Sequence, residues 1–311
     1  MKIGIDCQCL QNHSKNRGIG KYTREFIENL AKKNLYILLF VNSYHEYEII
    51  KDIAKKFKNV EIKFLFCNLN KFFFDSCDLN SINRILKCTY ELEVNNYNLD
   101  HYLIPSFFEK SENYFIFESF EIDCPVSLII YDFIPMEFKD YFLIHSDFKD
   151  KYYKKLNELQ NFSYLLFISK SSYNYFKENF SNIKINYQII YGDKEISIKH
   201  KKINPEKKYI LSVVSNDSHK NLLNLIEAYN LLNVDLKNTY ALYIVNNYID
   251  DNIKKKINDL KIKNLKFFSN ILDEQIDYLY ENCSLYVQPS LQEGLSLTLI
   301  EVAKRGKKIA C

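Results

Sequence analysis

Short apolar runs alternate with longer amphipathic ones along nearly all of this 311-residue chain, and that alternation restricts its fold more than any other feature. Runs at Lys2–Cys7, Tyr36–Val41, Val60–Cys67, Tyr102–Pro105, Val126–Tyr131, Tyr164–Ile168 and Ile183–Tyr191 read as strands. Gly20–Lys33, Tyr44–Phe57, Ser81–Leu92, Phe148–Leu159 and Ser171–Phe180 read as helices; in the first, Tyr22, Phe26, Leu30 and Ala31 fall at helical spacing. The segment 200–208, "HKKINPEKK", is charged and contains a proline, so it reads as a linker. Beyond it the alternation restarts. Strands are expected at Tyr209–Val214, Tyr240–Val245, Leu265–Ser269, Ser284–Gln288 and Lys307–Cys311, and helices at Lys220–Leu232, Asp250–Leu260, Glu274–Tyr280 and Ser296–Lys304. This is the pattern of α/β proteins, with parallel sheets covered by helices on both faces. Two blocks predict two Rossmann-like domains, residues 1–195 and 205–311. Ligands of such sheets sit beyond the carboxyl ends of the strands, so a cleft between the two domains is the expected site.

Composition excludes several classes. Hydrophobic residues at 47% suffice for sizeable cores, and a net charge of +3 gives no electrostatic case for nucleic acid. The eight cysteines, at 7, 9, 67, 77, 88, 124, 283 and 311, form no C-x-x-C pair. They read as small buried hydrophobes of a reducing compartment. No run approaches the ~20 apolar residues of a membrane span. The start, "MKIGIDCQCL", lacks the apolar region of a secretory signal. A cytoplasmic protein is expected, with any membrane contact peripheral.

The stretch with most chemistry is "PSLQEGLSLTLIEVAKRG", Pro289 to Gly306. A strand ends, Gly294 follows, and a helix begins. A helix N-terminus presents free N–H groups and the positive end of its dipole, which suits a phosphate. Glycine allows close backbone approach. Glu293 lies before the helix and Glu301 more than a turn inside it; carboxylates accepting from paired hydroxyls suit a sugar or ribose. The same stretch also reads as an ordinary helix with an acidic residue near its start, which the dipole favours.

This stretch resembles the E-x7-E signature of retaining GT-B glycosyltransferases, above all glycosyltransferase family 4, whose usual form is P-S-x-x-E-G-F-G-L-P-x-x-E-A-M-A-x-G. It matches at Pro289, Ser290, Glu293, Gly294, Leu297, Glu301 and Gly306, and departs at Ser296 (usually glycine) and Thr298 (usually proline). The opening "MKIGIDCQCL…RGIGKYTREFIENLAKK" is similar to the family's first strand, glycine loop and helix, with Gly18 and Gly20 in the loop. "VSLIIYDFIPMEF" resembles the strand that ends in His-Asp or Tyr-Asp, a form of the bacterial O-antigen and capsule mannosyltransferase-like branch. It offers Tyr131 and Asp132, although an aspartate there also serves as a helix cap. "YLLFISKSSYNYF" is assigned to structure, with Ser169 as a cap. In "YILSVVSNDSHKNLLNLIEAYNLL", Lys220 matches the family's diphosphate-contacting lysine, while His219 stands where relatives often carry arginine.

The resemblance implies a retaining hexosyltransferase. It would move a sugar from a nucleoside-diphosphate-sugar, with a tilt toward GDP-mannose, to a saccharide or lipid-linked glycan in surface polysaccharide synthesis. Glu301 would hold the ribose, Glu293 the sugar, and Lys220 with the amides of Gly294, Leu295, Ser296 and Leu297 the diphosphate. Gly18 and Gly20 would also face the donor, with Asp132 and Tyr131 on the acceptor side and Glu293 and Asp132 as the catalytic residues. No D-x-D motif occurs, so no metal or other cofactor is expected. Relatives continue past "KKIAC", which suggests a C-terminally truncated chain with an incomplete second domain. An inactive remnant, or a non-catalytic partner of a transferase, is the alternative. A nicotinamide-dependent oxidoreductase is the third reading, weakened by the lack of G-x-G-x-x-G.

Overall fold

The computed structural model describes residues 1–67, 78–108, 119–192, 201–203, 205, 207–246 and 248–311. The chain divides into two compact units, Met1–Gly192 and Asp193–Cys311. The sequence reading ended its first domain at residue 195. Residues 193–200, 204 and 206, which include part of the expected linker, lie outside the described residues.

Among the described residues the first unit holds seven strands: β1 (Lys2–Asp6), β2 (Tyr36–Asn42), β3 (Val60–Leu65), β4 (His101–Ile104), β5 (Val126–Ile130), β6 (Tyr164–Phe167) and β7 (Asn186–Ile189). They form one sheet in the order β3-β2-β1-β4-β5-β6-β7, and every pairing is parallel. β2 and β5 are buried along almost their whole length, as strands covered on both faces must be.

The second unit holds β8 (Lys208–Val213), β9 (Tyr240–Val245), β10 (Leu265–Phe268), β11 (Leu285–Val287) and β12 (Ile309–Ala310), parallel in the order β10-β9-β8-β11-β12. Successive side chains of a strand point to opposite faces. Tyr209, Leu211, Ala241, Tyr243 and Val245 accordingly pack on one face with Leu279, Tyr280 and Val302. Leu242 and Ile244 pack on the other with Leu222, Ile226 and Ile253. Both orders reverse direction once, between β1 and β4 and between β8 and β11. Such a reversal opens a crevice at the carboxyl ends of the two central strands.

Helices fall where the pattern places them, with ends shifted by a few residues: Gly18–Ala31, Glu48–Lys56, Leu79–Asn95, Ser146–Glu158 and Lys170–Asn179 in the first unit, and Leu222–Asn230, Asp251–Leu260, Asp273–Asn282 and Leu297–Lys304 in the second. Three short helices, Ile134–Glu137, Lys139–Phe142 and Val234–Thr239, escape the sequence reading because none is long enough to show a period. Among the described residues no helix is long and apolar enough to cross a membrane. The cysteine reading needs correction. Cys7, Cys9 and Cys283 are buried, but Cys67, Cys88 and Cys311 are exposed and Cys124 is half-buried; Cys77 lies outside the described residues.

Candidate functional site

In the second unit, the segments leaving β8 and β11 carry the residues that the sequence singled out. After β8 the chain makes a tight turn at Ser218–Lys220, closed by Lys220 N–H donating to the Asp217 carbonyl at 2.8 Å. Asn221 then takes a left-handed conformation, φ 58°, which asparagine tolerates better than most residues, and the helix begins at Leu222. Lys220 therefore precedes the helix; the sequence reading had placed it in the first helical turn. Two bonds tie this turn to the segment after β11. Leu291 N–H donates to the His219 carbonyl at 2.7 Å, and Asn221 Nδ2 donates to the Pro289 carbonyl at 3.1 Å.

That stitching brings Lys220 onto Glu293. The ammonium donates to both carboxylate oxygens, at 2.7 and 2.8 Å, with each side chain 22% exposed. Glu293 is also held from below by Gln288, which follows β11 and is buried. Gln288 Nε2 donates to Glu293 Oε1 at 2.9 Å and to Ser290 Oγ at 2.7 Å. Its Oε1 accepts from Tyr286 Oη at 3.0 Å and from Thr298 Oγ1 at 3.2 Å. An amide offers two donors and an acceptor with two lone pairs, so this side chain is fully used. Because a carboxylate only accepts, the amide nitrogen must face Glu293.

Ser296 is the N-cap of helix Leu297–Lys304. Its Oγ accepts from Leu299 N–H at 3.4 Å and lies 3.0 Å from Thr298 Oγ1. The hydroxyl standing where the family usually has glycine thus takes up one of the N–H groups of the helix start. Gly294 and Leu295 lie in the partly buried loop before it, and Leu297 opens the helix. Glu301 sits one turn further in and is buried, its carboxylate beside the Tyr280 phenol. The phenol of Tyr280 is pushed well above its ordinary range, first by burial and then by the charge of Tyr286 and Glu301. Beyond Glu301, Arg305 donates to the Glu301 carbonyl at 2.8 Å and to Asp277 Oδ1 at 2.6 Å. Lys220, Glu293, Gly294, Leu295, Ser296, Leu297 and Glu301 therefore occupy one stretch of the second unit. Glu293 and Lys220 meet directly, while Glu301 is turned toward Tyr280.

The remaining candidates belong to the first unit. Asp132 follows β5 and accepts from Ile134 N–H at 3.0 Å, closing a local turn; the helix cap of its alternative reading is not formed, since the N-cap of Ile134–Glu137 is Phe133. Tyr131 Oη lies 3.1 Å from Thr23 Oγ1, and its ring meets Tyr22 edge-on at 5.6 Å. Gly18 and Gly20 do not form a loop. Both lie in the first turn of helix Gly18–Ala31. A Cβ on Gly20 would stand 2.5 Å from the carbonyl oxygens of Ser14 and Lys15, so close packing against the preceding turn requires glycine there. At Gly18 a Cβ would meet nothing within 4 Å.

Asp6, at the carboxyl end of β1, escaped the sequence reading. It is fully buried and accepts from Gln8 N at 3.0 Å, Gln8 Nε2 at 2.9 Å and Tyr90 Oη at 2.8 Å. Burial raises its carboxyl to about 6 against the pull of those hydrogen bonds. The signal was available, since Asp6 closes its strand much as Asp132 follows β5. A depression of about 710 Å³ lies elsewhere, lined by Pro125, Phe162, Tyr164, Lys184 and Asn186 at the amino ends of β5 to β7. Among the described residues no group of three or more His, Cys, Asp and Glu side chains is placed to hold a metal ion.

Residues 193–311 match the family described as Glycosyl transferases group 1. With two parallel sheets of this order the molecule has the GT-B fold, and its second unit is the part that the group 1 model matches. Among individual proteins, it is similar to the serotype-specific mannosyltransferase WbdA of Escherichia coli, at 26% identity over 333 residues. That match takes in 98% of this chain but 39% of WbdA, so the chain spans well under half the length of this relative. Solved structures give the same fold. Sucrose-phosphate synthase from Thermosynechococcus elongatus superposes with a TM-score of 0.70 at 12% identity, covering 99% of this chain and 80% of that one. WaaG, a glycosyltransferase involved in lipopolysaccharide biosynthesis, gives 0.64 at 13% identity, covering 99% and 80%.

Proposed function

We propose that the protein transfers a hexose from a nucleoside-diphosphate-sugar to a saccharide or lipid-linked glycan acceptor in surface polysaccharide synthesis, with retention at the anomeric carbon. The observation that carries this reading is the Lys220–Glu293 pair at the reversal point of the second sheet. There a cation for a diphosphate and a carboxylate for sugar hydroxyls lie within 2.8 Å of one another. The similarity to a mannosyltransferase supports GDP-mannose as the first donor to try.

In this reading the incoming diphosphate takes Lys220 from Glu293, and the freed carboxylate accepts from the sugar hydroxyls. The bond from the anomeric carbon to the diphosphate oxygen breaks, and the acceptor oxygen forms a new one on the same face. The acceptor proton leaves with the diphosphate. Charge on the departing group is met by Lys220 and the backbone amides of Gly294 to Leu297, so the reaction calls for no resident metal. Glu301 would take the ribose hydroxyls by exchanging its Tyr280 partner. Asp132 and Tyr131 are assigned to the acceptor side. We place the activity in the cytoplasm, at the membrane when the acceptor is a lipid.

The test is thermal unfolding with GDP and with UDP. A ligand that binds only the folded state raises the midpoint, by about 2.7 kcal/mol of stability at a hundred times its Kd. One nucleotide should raise the midpoint, and Lys220→Ala or Glu301→Ala should abolish the rise. No shift with either nucleotide would overturn the reading.

A further inference from the structure

Two of the positions where the E-x7-E stretch departs from its usual form, Ser296 and Thr298, are joined to Glu293 through Gln288. The direction of this hydrogen-bond chain is fixed at both ends. At one end Leu299 N–H can only donate, so Ser296 Oγ accepts from it and turns its own proton toward Thr298, 3.0 Å away. Thr298 in turn donates to Gln288 Oε1 at 3.2 Å. At the other end the Glu293 carboxylate can only accept, from Gln288 Nε2 at 2.9 Å and from Lys220. Every proton in the chain therefore points toward Glu293. Aligned donors polarise one another, and buried side-chain networks that are fully satisfied hold one geometry.

We infer that Gln288 is a positioning residue for Glu293, with Ser296 and Thr298 as the supports that set its amide. The inference rests on the proposed donor-binding role of Glu293. Three observations support it. Gln288 is buried and has every hydrogen-bonding position filled. Glu293 is partly exposed and sits in a loop, so without Gln288 it would be steered by Lys220 alone, the group that a diphosphate draws away. And the departures at Ser296 and Thr298 are linked: each supplies one hydroxyl to the same chain, whereas glycine and proline would supply none. Gln288 thus keeps the carboxylate in place at the moment its counter-ion leaves. Sugar recognition is the step that depends on this, since the nucleotide and diphosphate are taken by other groups.

The experiment is calorimetric titration of the full 311-residue chain with GDP and GDP-mannose, and with UDP and UDP-glucose. Wild type should bind one nucleotide, and its sugar form more tightly. Thr298→Val removes one hydroxyl at constant shape. It should leave nucleotide affinity within about twofold, reduce the additional affinity given by the sugar by about three- to tenfold, and be rescued by Thr298→Ser. Gln288→Glu sets two carboxyls within hydrogen-bond reach, where both cannot easily be ionised. Sugar-dependent affinity should then fall at neutral pH and recover as the pH is lowered, because a proton on the introduced carboxyl restores the donor. Equal losses for nucleotide and sugar nucleotide, or no loss in either variant, would overturn the positioning role while leaving the proposed function intact. Should wild type bind none of the four ligands, the proposed function falls and this inference with it.

Discussion

Asp6 shows how one burial sets a pH dependence. Its carboxyl rises from 3.8 to about 6 because desolvation outweighs the hydrogen bonds from Gln8 and Tyr90. Between those two values the folded chain holds a proton that the unfolded chain has lost. Stability from this group is therefore full below about pH 4, falls as the pH rises to about 6, and then levels off. The unfolding free energy of wild type minus that of Asp6→Asn, measured in urea from acid to neutral pH, should drop by roughly 3 kcal/mol across this window. A flat or rising difference would show that the proton is not held in the fold. At the same scale, Glu293→Gln removes the charge that faces Lys220 but keeps an acceptor. It should weaken sugar-nucleotide binding at least tenfold in the calorimetric titration while leaving the unfolding midpoint within a few degrees, because the Lys220–Glu293 pair is partly exposed and worth little to stability.

Elements were easier to read than residue environments. Strands at Tyr36, Val126, Tyr164 and Tyr240 start on the residues where their apolar runs start, because a doubly covered parallel strand has little freedom to be anything else. Polar environments were less legible because they depend on what a second segment brings. Nothing near Lys220 in sequence shows that Glu293 will meet it. The reach of Tyr280 to Glu301 is likewise set by the packing of two helices. The end of helix Leu297–Lys304 is a case where residue and element agree. Gly306 has φ 64°, Gly306 N–H bonds the Ala303 carbonyl, and Lys307 N–H bonds the Val302 carbonyl. This is the reciprocal helix stop that glycine favours. Gly306→Ala should cost about 1 kcal/mol in urea unfolding. That helix is also pinned by the Arg305–Asp277 ion pair, with side chains 5% and 9% exposed. Asp277→Ala leaves a buried guanidinium without its counter-ion and should cost about 3–5 kcal/mol. Adding Arg305→Met should recover much of that loss; a double variant as unstable as the single one would argue against the pair.

At the scale of the molecule, two sheets with separate cores make two reporters available. Cys7 and Cys9 are buried in the first unit and Cys283 in the second, whereas Cys67, Cys88 and Cys311 are exposed. A thiol reagent should modify the exposed three within the first minutes and the buried three only when their own unit opens. A bound nucleotide should then slow labelling of Cys283 and leave Cys7 and Cys9 unchanged, since Lys220, Glu293 and Glu301 lie in the second unit. Equal slowing of all three buried thiols would contradict that assignment. The two-block organisation was legible from the restart of the strand–helix alternation. The border at Gly192 falls three residues before residue 195, where the sequence reading ends the first domain.

The saturated amide of Gln288 has a consequence for how this stretch can vary over generations. Tyr286, Ser290, Glu293 and Thr298 each meet a different position on one side chain. A change at any one of them leaves a buried group unmatched, and the remedy lies at another of the same positions. Tolerated variation there should proceed in blocks, with paired substitutions surviving where single ones do not, while the neighbouring Leu291, exposed to solvent, drifts by itself.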